Sequence, residues 1–404
     1  MNDLVSVIIP AYNHEKYIKD CVMSVLNQTY KKIEVFVMDD CSTDNSAKII
    51  KKIKDPRLKV FCSKKNKGTV KTINELMEKC KGDYIAIIGS DDIWKKNKIE
   101  KQVKYLKNHI NIGAVFTTAE VIDENGDLYV DDDAFNDEVF KKENMSSGKR
   151  MRFFFENGNH LCHSSSLIRT DVVKKIGFYN IMYRQLHDYD YWVRLINEYS
   201  IHIIDEKLVK YRRFKKSKQN LSNNSSESMI RVVNENNSIM YWMFENIHKS
   251  IFKEGFEDLF INKNSNTNEE LVCEKYFILL KYKFNGANNK ELALSILYNY
   301  SNKEKLFSLL EKKYNYTLND FYEESGKTYD TFNYIYLMNG NSENGKIIKN
   351  DKQIIEEQTK IININNDKIN VLNNHINMLK NSISWKITKP FRKLKGLIKS
   401  EKNK

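Results

Sequence analysis

Two adjacent carboxylates, Asp91 and Asp92, follow Ser90 at the end of the apolar run Tyr84–Ile88, and Ile93-Trp94 returns at once to apolar chain. Beside each other at the end of a buried strand, the two acids repel one another and lose hydration, and both effects raise their cost. A chain that keeps them there needs a use for them that offsets this cost. The competing reading is an acidic N-cap for a helix starting near Lys95, a task that needs only one carboxylate. A second acidic pair, Asp39-Asp40, closes the run Ile33–Met38, while Ala11-Tyr12-Asn13 follows Val5–Pro10. Capping is again the alternative for Asp39-Asp40, but Ser42, Thr43 and Asp44 suffice for that job and leave Asp40 for a ligand.

Placing these groups requires strand ends that meet. Val5–Pro10, Ile33–Met38, Leu58–Phe61, Tyr84–Ile88 and Ala114–Thr118 are predicted strands, alternating with predicted helices at Glu15–Asn27, Asp44–Ile53, Thr69–Lys79 and Lys95–Asn108. Strands that are apolar throughout, separated by helices, imply an α/β fold whose mostly parallel sheet is covered on both faces. Ligands of such sheets bind beyond the carboxyl ends of the strands, where the acidic pairs fall.

The chain has 404 residues and a formal net charge of +13. Between Trp385 and Lys404 eight Lys and Arg face one Glu, so the basicity is largely a property of the tail. That distribution argues against nucleic-acid binding over the whole surface. Cys21, Cys41, Cys62, Cys80, Cys162 and Cys273 form no CxxC or compact cluster, which suits a reducing compartment and no zinc site. MNDLVSVIIP lacks a basic leader and long apolar stretch, and no run approaches the length of a spanning helix. A cytoplasmic protein is expected, at most attached to the inner face of a membrane.

Residues 223–345 read as a helical module. Ile348, Ile355, Ile362, Ile369, Ile376 and Ile383 then recur every seven residues, with Leu372 and Leu379 at alternate core positions. A coiled coil over 346–384 and a homodimer follow as expectations. The segment 385–404, with Trp385 and Phe391 among cations, suits an interfacial helix on an anionic leaflet, although Pro390 interrupts its register. The acidic run Asp131–Asp133 reads as a solvated loop.

The stretches VSVIIPAYNHEKYIKDCVMSVLNQTY, VFVMDDCSTDNS, KGDYIAIIGSDDIW and HDYDYWVRL, in that order, resemble the family 2 glycosyltransferases over about Leu4 to Ser222. The resemblance implies a GT-A fold, Rossmann-like, over 1–222, and a metal-dependent inverting transfer from a nucleotide-sugar. It implies Mn2+ or Mg2+ on Asp92, with Asp91 toward the donor's ribose or sugar. It further implies that Asp40 accepts from a uracil N3–H, supported by Asp39, with Pro10, Ala11 and Tyr12 lining the nucleobase slot. Lys71 is a further candidate for the nucleotide. By the same resemblance Asp188, four residues before Trp192, is the base, and His187 stands where relatives carry Glu. Asp190 is expected to be a helix N-terminal residue. His163, His187 and Trp192 are candidates for the acceptor site, and His160 reads as a loop histidine.

Two positions depart from the family pattern. Tyr211-Arg212-Arg213-Phe214 lacks the His that relatives often carry at its end, so Arg212 or Arg213 is expected to neutralise charge instead. Ile73 stands before Asn74 where relatives often have Arg. The implied partners are a UDP-sugar donor and a lipid-linked surface glycan or protein acceptor. A catalytically inactive scaffold is the competing expectation from another functional class. No processive-synthase Gln-x-x-Arg-Trp motif is present.

Overall fold

The structure is a computed structural model that describes residues 3–129, 137–140, 143–214, 226–282 and 289–326. The expected coiled coil, the basic tail and the Asp131–Asp133 run lie outside the described residues. Residues up to Ser325 form one compact unit.

Eight strands make one sheet: β1 Val5–Ala11, β2 Ile33–Asp39, β3 Leu58–Cys62, β4 Tyr84–Ile87, β5 Ile93–Trp94, β6 Ile112–Ile122, β7 Leu167–Arg169 and β8 Ser200–Arg212. Their spatial order is β3-β2-β1-β4-β7-β6-β8-β5. Strands β1 to β4 run parallel as the alternating pattern requires, with Ile8 beside both Phe36 and Ile87. The short β7 enters antiparallel between β4 and β6, and β5 pairs antiparallel with the far edge of β8. The sheet is therefore mixed: four of its seven pairings are parallel, and the antiparallel ones are those of β7 and β5.

The uniformly apolar strands are explained by a core on each face. Val5, Val7, Ile9, Val35 and Val37 point to a face covered by α1 (Ile18–Leu26) and α4 (Lys98–Asn108). Ile8, Phe36, Met38, Ile85 and Ile87 point to the other. That second face is covered by α3 (Thr69–Met77), α5 (Ser147–Asn157) and α7 (His187–Glu198); α2 (Ser46–Lys52) and α6 (Thr170–Ile176) complete the order.

After β8 the chain is helical: α8 Ser226–Asn246, α9 Lys249–Phe256, α10 Asn268–Lys281, α11 Lys290–Asn299, α12 Lys303–Tyr314 and α13 Leu318–Gly326. These helices extend the second core, where Phe244, Phe252 and Phe256 pack with Phe155 of α5. At the α5–α9 crossing a Cβ on Gly255 would lie 2.3 Å from the Gly148 carbonyl oxygen, so only Gly permits this approach. Among the described residues no helix is long and apolar enough to cross a membrane.

Candidate active site

The loops after β1, β2 and β4 are stitched to one another. After β1, Asn13 adopts a left-handed backbone (φ 53°), its N–H donates to Ser42 Oγ at 3.0 Å, and its side-chain oxygen accepts from the Thr43 N–H at 2.8 Å. The next residue, His14, places Nδ1 2.7 Å from Ser90 Oγ and so reaches the loop after β4. Asp40 N–H donates to the Ala11 carbonyl at 2.8 Å, closing the β1 and β2 ends together.

The carboxylates of that rim divide their work unequally. Asp40 accepts the Lys67 N–H with both oxygens, each at 3.0 Å, and the Gly68 N–H with Oδ2 at 2.8 Å, which fixes the loop entering α3. Asp39 uses Oδ2 to accept the Ser42 N–H at 3.0 Å, while its Oδ1 is buried with no partner. A buried acceptor without a donor is uncommon and marks a place where a ligand or water completes the bonding. Pro10 and Ala11 sit below, and the Tyr12 ring is 43% exposed at the edge. Lys71 is exposed on α3.

Asp92 is 3% exposed, and both its oxygens have protein donors. Oδ1 accepts the Arg212 N–H at 2.8 Å, and Oδ2 accepts the hydroxyl of Ser164, which itself accepts the Gly89 N–H at 2.9 Å. Burial, then the charge of Asp91, push the Asp92 carboxyl well above the ordinary range, and these donors oppose the shift. Asp91 is half-buried, and its carboxylate accepts nothing from the described residues. A Cβ on Gly89 would lie 3.0 Å from both Asp91 Oδ1 and Asp92 Oδ2, so the two acids converge beside this glycine and would have to give way to a larger residue. Among the described residues no three His, Cys, Asp or Glu side chains are grouped to hold a metal. Two converging carboxylates still fit a hard cation that takes its remaining ligands from phosphate and water. Asp91 has no protein donor on its carboxylate among the described residues, and Asp92, with one donor on each oxygen, keeps a further lone pair on each, so both acids have acceptor capacity for such an ion.

Arg212 is buried; its Nε donates to the Asp91 carbonyl at 2.9 Å, and its guanidinium lies 4.4 Å over the Tyr17 ring. It secures the backbone of the acidic loop. Phe214, where relatives often carry His, packs on Tyr17 and His14 with ring separations of 5.6 and 6.4 Å.

Asp188 lies in the first turn of α7, where the helix dipole favours a carboxylate. Its Oδ1 accepts the Tyr189 N–H at 2.8 Å and its Oδ2 accepts from Asn159 Nδ2 at 2.9 Å. Asn159 cannot turn over, because its Oδ1 already accepts the Leu161 N–H at 2.9 Å. Burial raises the Asp188 carboxyl above its ordinary value, against the pull of His187 and these donors. A carboxylate so raised is a stronger base at neutral pH. Asp190, by contrast, is committed to Arg194, whose Nε and Nη2 lie 3.0 and 2.8 Å from its Oδ2.

His163, His187 and Tyr179 form a cluster beneath Asp188. The His163 and His187 rings are 5.5 Å apart, and His163 Nε2 is 3.0 Å from the Tyr179 hydroxyl. Burial and His187 lower His163 to about 3, so it is neutral at physiological pH. Tyr179 stacks on Tyr191 at 4.1 Å and is clamped through its backbone by both ends of the Asn74 amide, at 2.8 and 3.0 Å. Trp192 is wholly buried against Phe116, at 4.8 Å, so it supports this cluster from below and does not line an acceptor surface. His160 is likewise buried, 2.8 Å from Arg150 Nη1.

Contacts thus run from Asp40 through Gly68 and α3 to Asn74, Tyr179 and His163; separately, Ser164 holds Asp92, and Ser90 of the same loop meets His14, whose neighbour Asn13 holds the loop after β2. Ser164, Asn159 and His14 were not singled out from sequence, since a lone Ser, Asn or His in a loop carries no signal of its partner.

Known proteins carry the same pattern. The model for glycosyl transferase family 2 matches residues 6–177. An uncharacterised glycosyltransferase of Methanocaldococcus jannaschii is 34% identical over 215 residues, covering 52% of this chain and 70% of the relative. An Escherichia coli protein named UDP-Glc:alpha-D-GlcNAc-diphosphoundecaprenol beta-1,3-glucosyltransferase is 34% identical over 199 residues, covering 48% of this chain and 71% of its own. Among solved structures, Staphylococcus aureus TarS residues 1–349 in complex with UDP aligns with a TM-score of 0.50 at 19% identity, over 76% of this chain and 83% of that one. The mixed sheet with acidic loops at its strand ends and the agreement along the N-terminal half have one explanation: the chain belongs to glycosyl transferase family 2.

Proposed function

We propose that this protein is an inverting, metal-dependent glycosyltransferase that takes a sugar from UDP and delivers it to a hydroxyl of a lipid-linked bacterial surface glycan. The observation that supports this reading most is Asp188, a half-buried carboxylate in the first turn of α7, raised in basicity and fixed by two donors. The nucleobase would lie against Tyr12, with its N–H supplied to the Asp39-Asp40 pair; Asp39 Oδ1 is the acceptor left open there. Asp91, with Asp92 held behind it, would carry Mn2+ or Mg2+, which supplies positive charge to the leaving diphosphate. Asp188 takes the proton of the acceptor hydroxyl as its oxygen bonds to the anomeric carbon and the bond to UDP breaks on the opposite face. His163, neutral, and His187 would border the acceptor. The donor and the lipid-linked acceptor rest on the name of the Escherichia coli relative.

A screen of UDP-, GDP- and dTDP-sugars with synthetic lipid-diphosphate acceptors, read by mass spectrometry with Mn2+ or EDTA, tests the reading. Transfer confined to a UDP-sugar, abolished by EDTA and giving an inverted anomeric centre by NMR, is expected. Metal-independent transfer or a retained configuration would refute the mechanism, and no release of UDP from any donor would favour a scaffold.

A further inference from the structure

The helix that carries Asp188 begins without a cap of its own: Leu186 precedes it and offers no side-chain acceptor. The turn that leads into it, Arg184 to Leu186, presents three successive N–H groups ahead of the first intrahelical bond, from the Asp190 N–H to the Leu186 carbonyl, and these need partners from elsewhere. They are taken instead by one carboxylate from the helical segment. Glu235 of α8, buried, accepts the Arg184 N–H with Oε1 at 2.8 Å and the Gln185 and Leu186 N–H groups with Oε2 at 2.8 and 2.7 Å. Two further contacts from α8 reach the same approach: Ser238 lies 2.9 Å from the Tyr183 hydroxyl, and Ser228 accepts from Gln185 at 3.1 Å. At the other end of α7, Asn197 donates to the Asn246 carbonyl at 3.1 Å and accepts the His248 N–H at 2.9 Å. The approach to α7 is thus tied to the middle of α8 and the end of α7 to the end of α8, so the second half of α8 runs alongside α7 in the same direction. Met240, Met243 and Phe244 fill the core with Trp192 and Leu195.

We infer that α8 is a working part of the active site, a splint in which Glu235 acts as a positioning residue that sets the first turn of α7 and therefore the place of Asp188. The inference rests on Asp188 being the base. Glu235 touches neither donor nor acceptor in this account; it acts only through the backbone of Arg184–Leu186. Charge-assisted bonds from one carboxylate to several N–H groups are the strong kind, and a displacement of about an ångström in a catalytic group can cost roughly a hundredfold in rate.

The test uses the full chain with Glu235→Ala, Glu235→Gln and, as a surface control on the same helix, Glu245→Ala. Turnover, KM for the UDP-sugar and UDP affinity by calorimetry are measured together. Glu235→Ala should lower kcat roughly tenfold to a hundredfold with UDP affinity unchanged within about twofold. Glu235→Gln, which keeps one carbonyl oxygen for three N–H groups, should recover part of the loss, and Glu245→Ala should match wild type. Unchanged kcat in Glu235→Ala, or kcat and UDP affinity falling together as for a general loss of fold, would overturn the inference. Asp188→Asn run in parallel separates the two readings: if it alone abolishes turnover, only the role of Glu235 fails, whereas if it retains turnover, the base assignment itself fails.

Discussion

Ser164 is the residue through which the turn before β7 grips the acidic loop, and replacing it with Ala isolates that grip. Its buried hydroxyl donates to Asp92 Oδ2 and accepts the Gly89 N–H at 2.9 Å. Loss of a bond to a charged acceptor costs about 1.5–3 kcal/mol and of a neutral one about 0.5–1.5 kcal/mol. Asp92 stays buried and Gly89 half-buried, and neither is compensated, so Ser164→Ala should destabilise the protein by about 2–4 kcal/mol. Urea unfolding followed by circular dichroism reads this directly, as a lower midpoint at unchanged slope. Because Asp92 loses one of its two fixings, the Mn2+ concentration for half-maximal activity should rise at the same time, whereas UDP affinity without metal should not change. A destabilisation below about 0.5 kcal/mol, or normal metal dependence in a destabilised protein, would refute the view that Ser164 fixes the acidic loop.

Asp39→Ala should weaken UDP binding roughly tenfold by calorimetry, since it removes the open buried acceptor of the nucleobase end. Turnover should fall as pH drops through an apparent pKa above the ordinary carboxylate range, because only ionised Asp188 can take a proton; Asn159→Ala removes a donor that holds this pKa down and should shift that limb to higher pH. His163, held at about 3 in the folded chain against 6.5 for the free group, binds a proton more readily when unfolded. Its contribution to stability is therefore complete above about pH 6.5 and is lost as pH falls from there toward 3; His163→Gln should flatten that part of a stability-against-pH curve.

The N-terminal α/β half was legible because both faces of β1, β2 and β4 are buried, which leaves uninterrupted apolar runs, and because α1, α3 and α4 carry plain amphipathic spacing. Their ends were placed within a few residues. The antiparallel β7 escaped, since three residues, Leu167–Arg169, are too short to carry a period, and β5 is only Ile93-Trp94 within the acidic motif itself. The positions of Asp39, Asp40, Asp91 and Asp92 were legible as a rim. Which protein donors each acid meets was not, because donors such as Ser164 and Arg212 for Asp92 lie 72 and 120 residues away. Glu235 escaped for the same reason. A lone Glu in an amphipathic helix reads as solvated until its partners, about fifty residues earlier, are seen.

The account turns on Asp188 as the proton acceptor in sugar transfer. The direct measurement is turnover of Asp188→Asn beside its UDP affinity, with the saturating donor found in the screen. The account predicts a loss of roughly a hundredfold to ten-thousandfold in kcat, with UDP bound as tightly as by wild type. Turnover within a few-fold of wild type would contradict it.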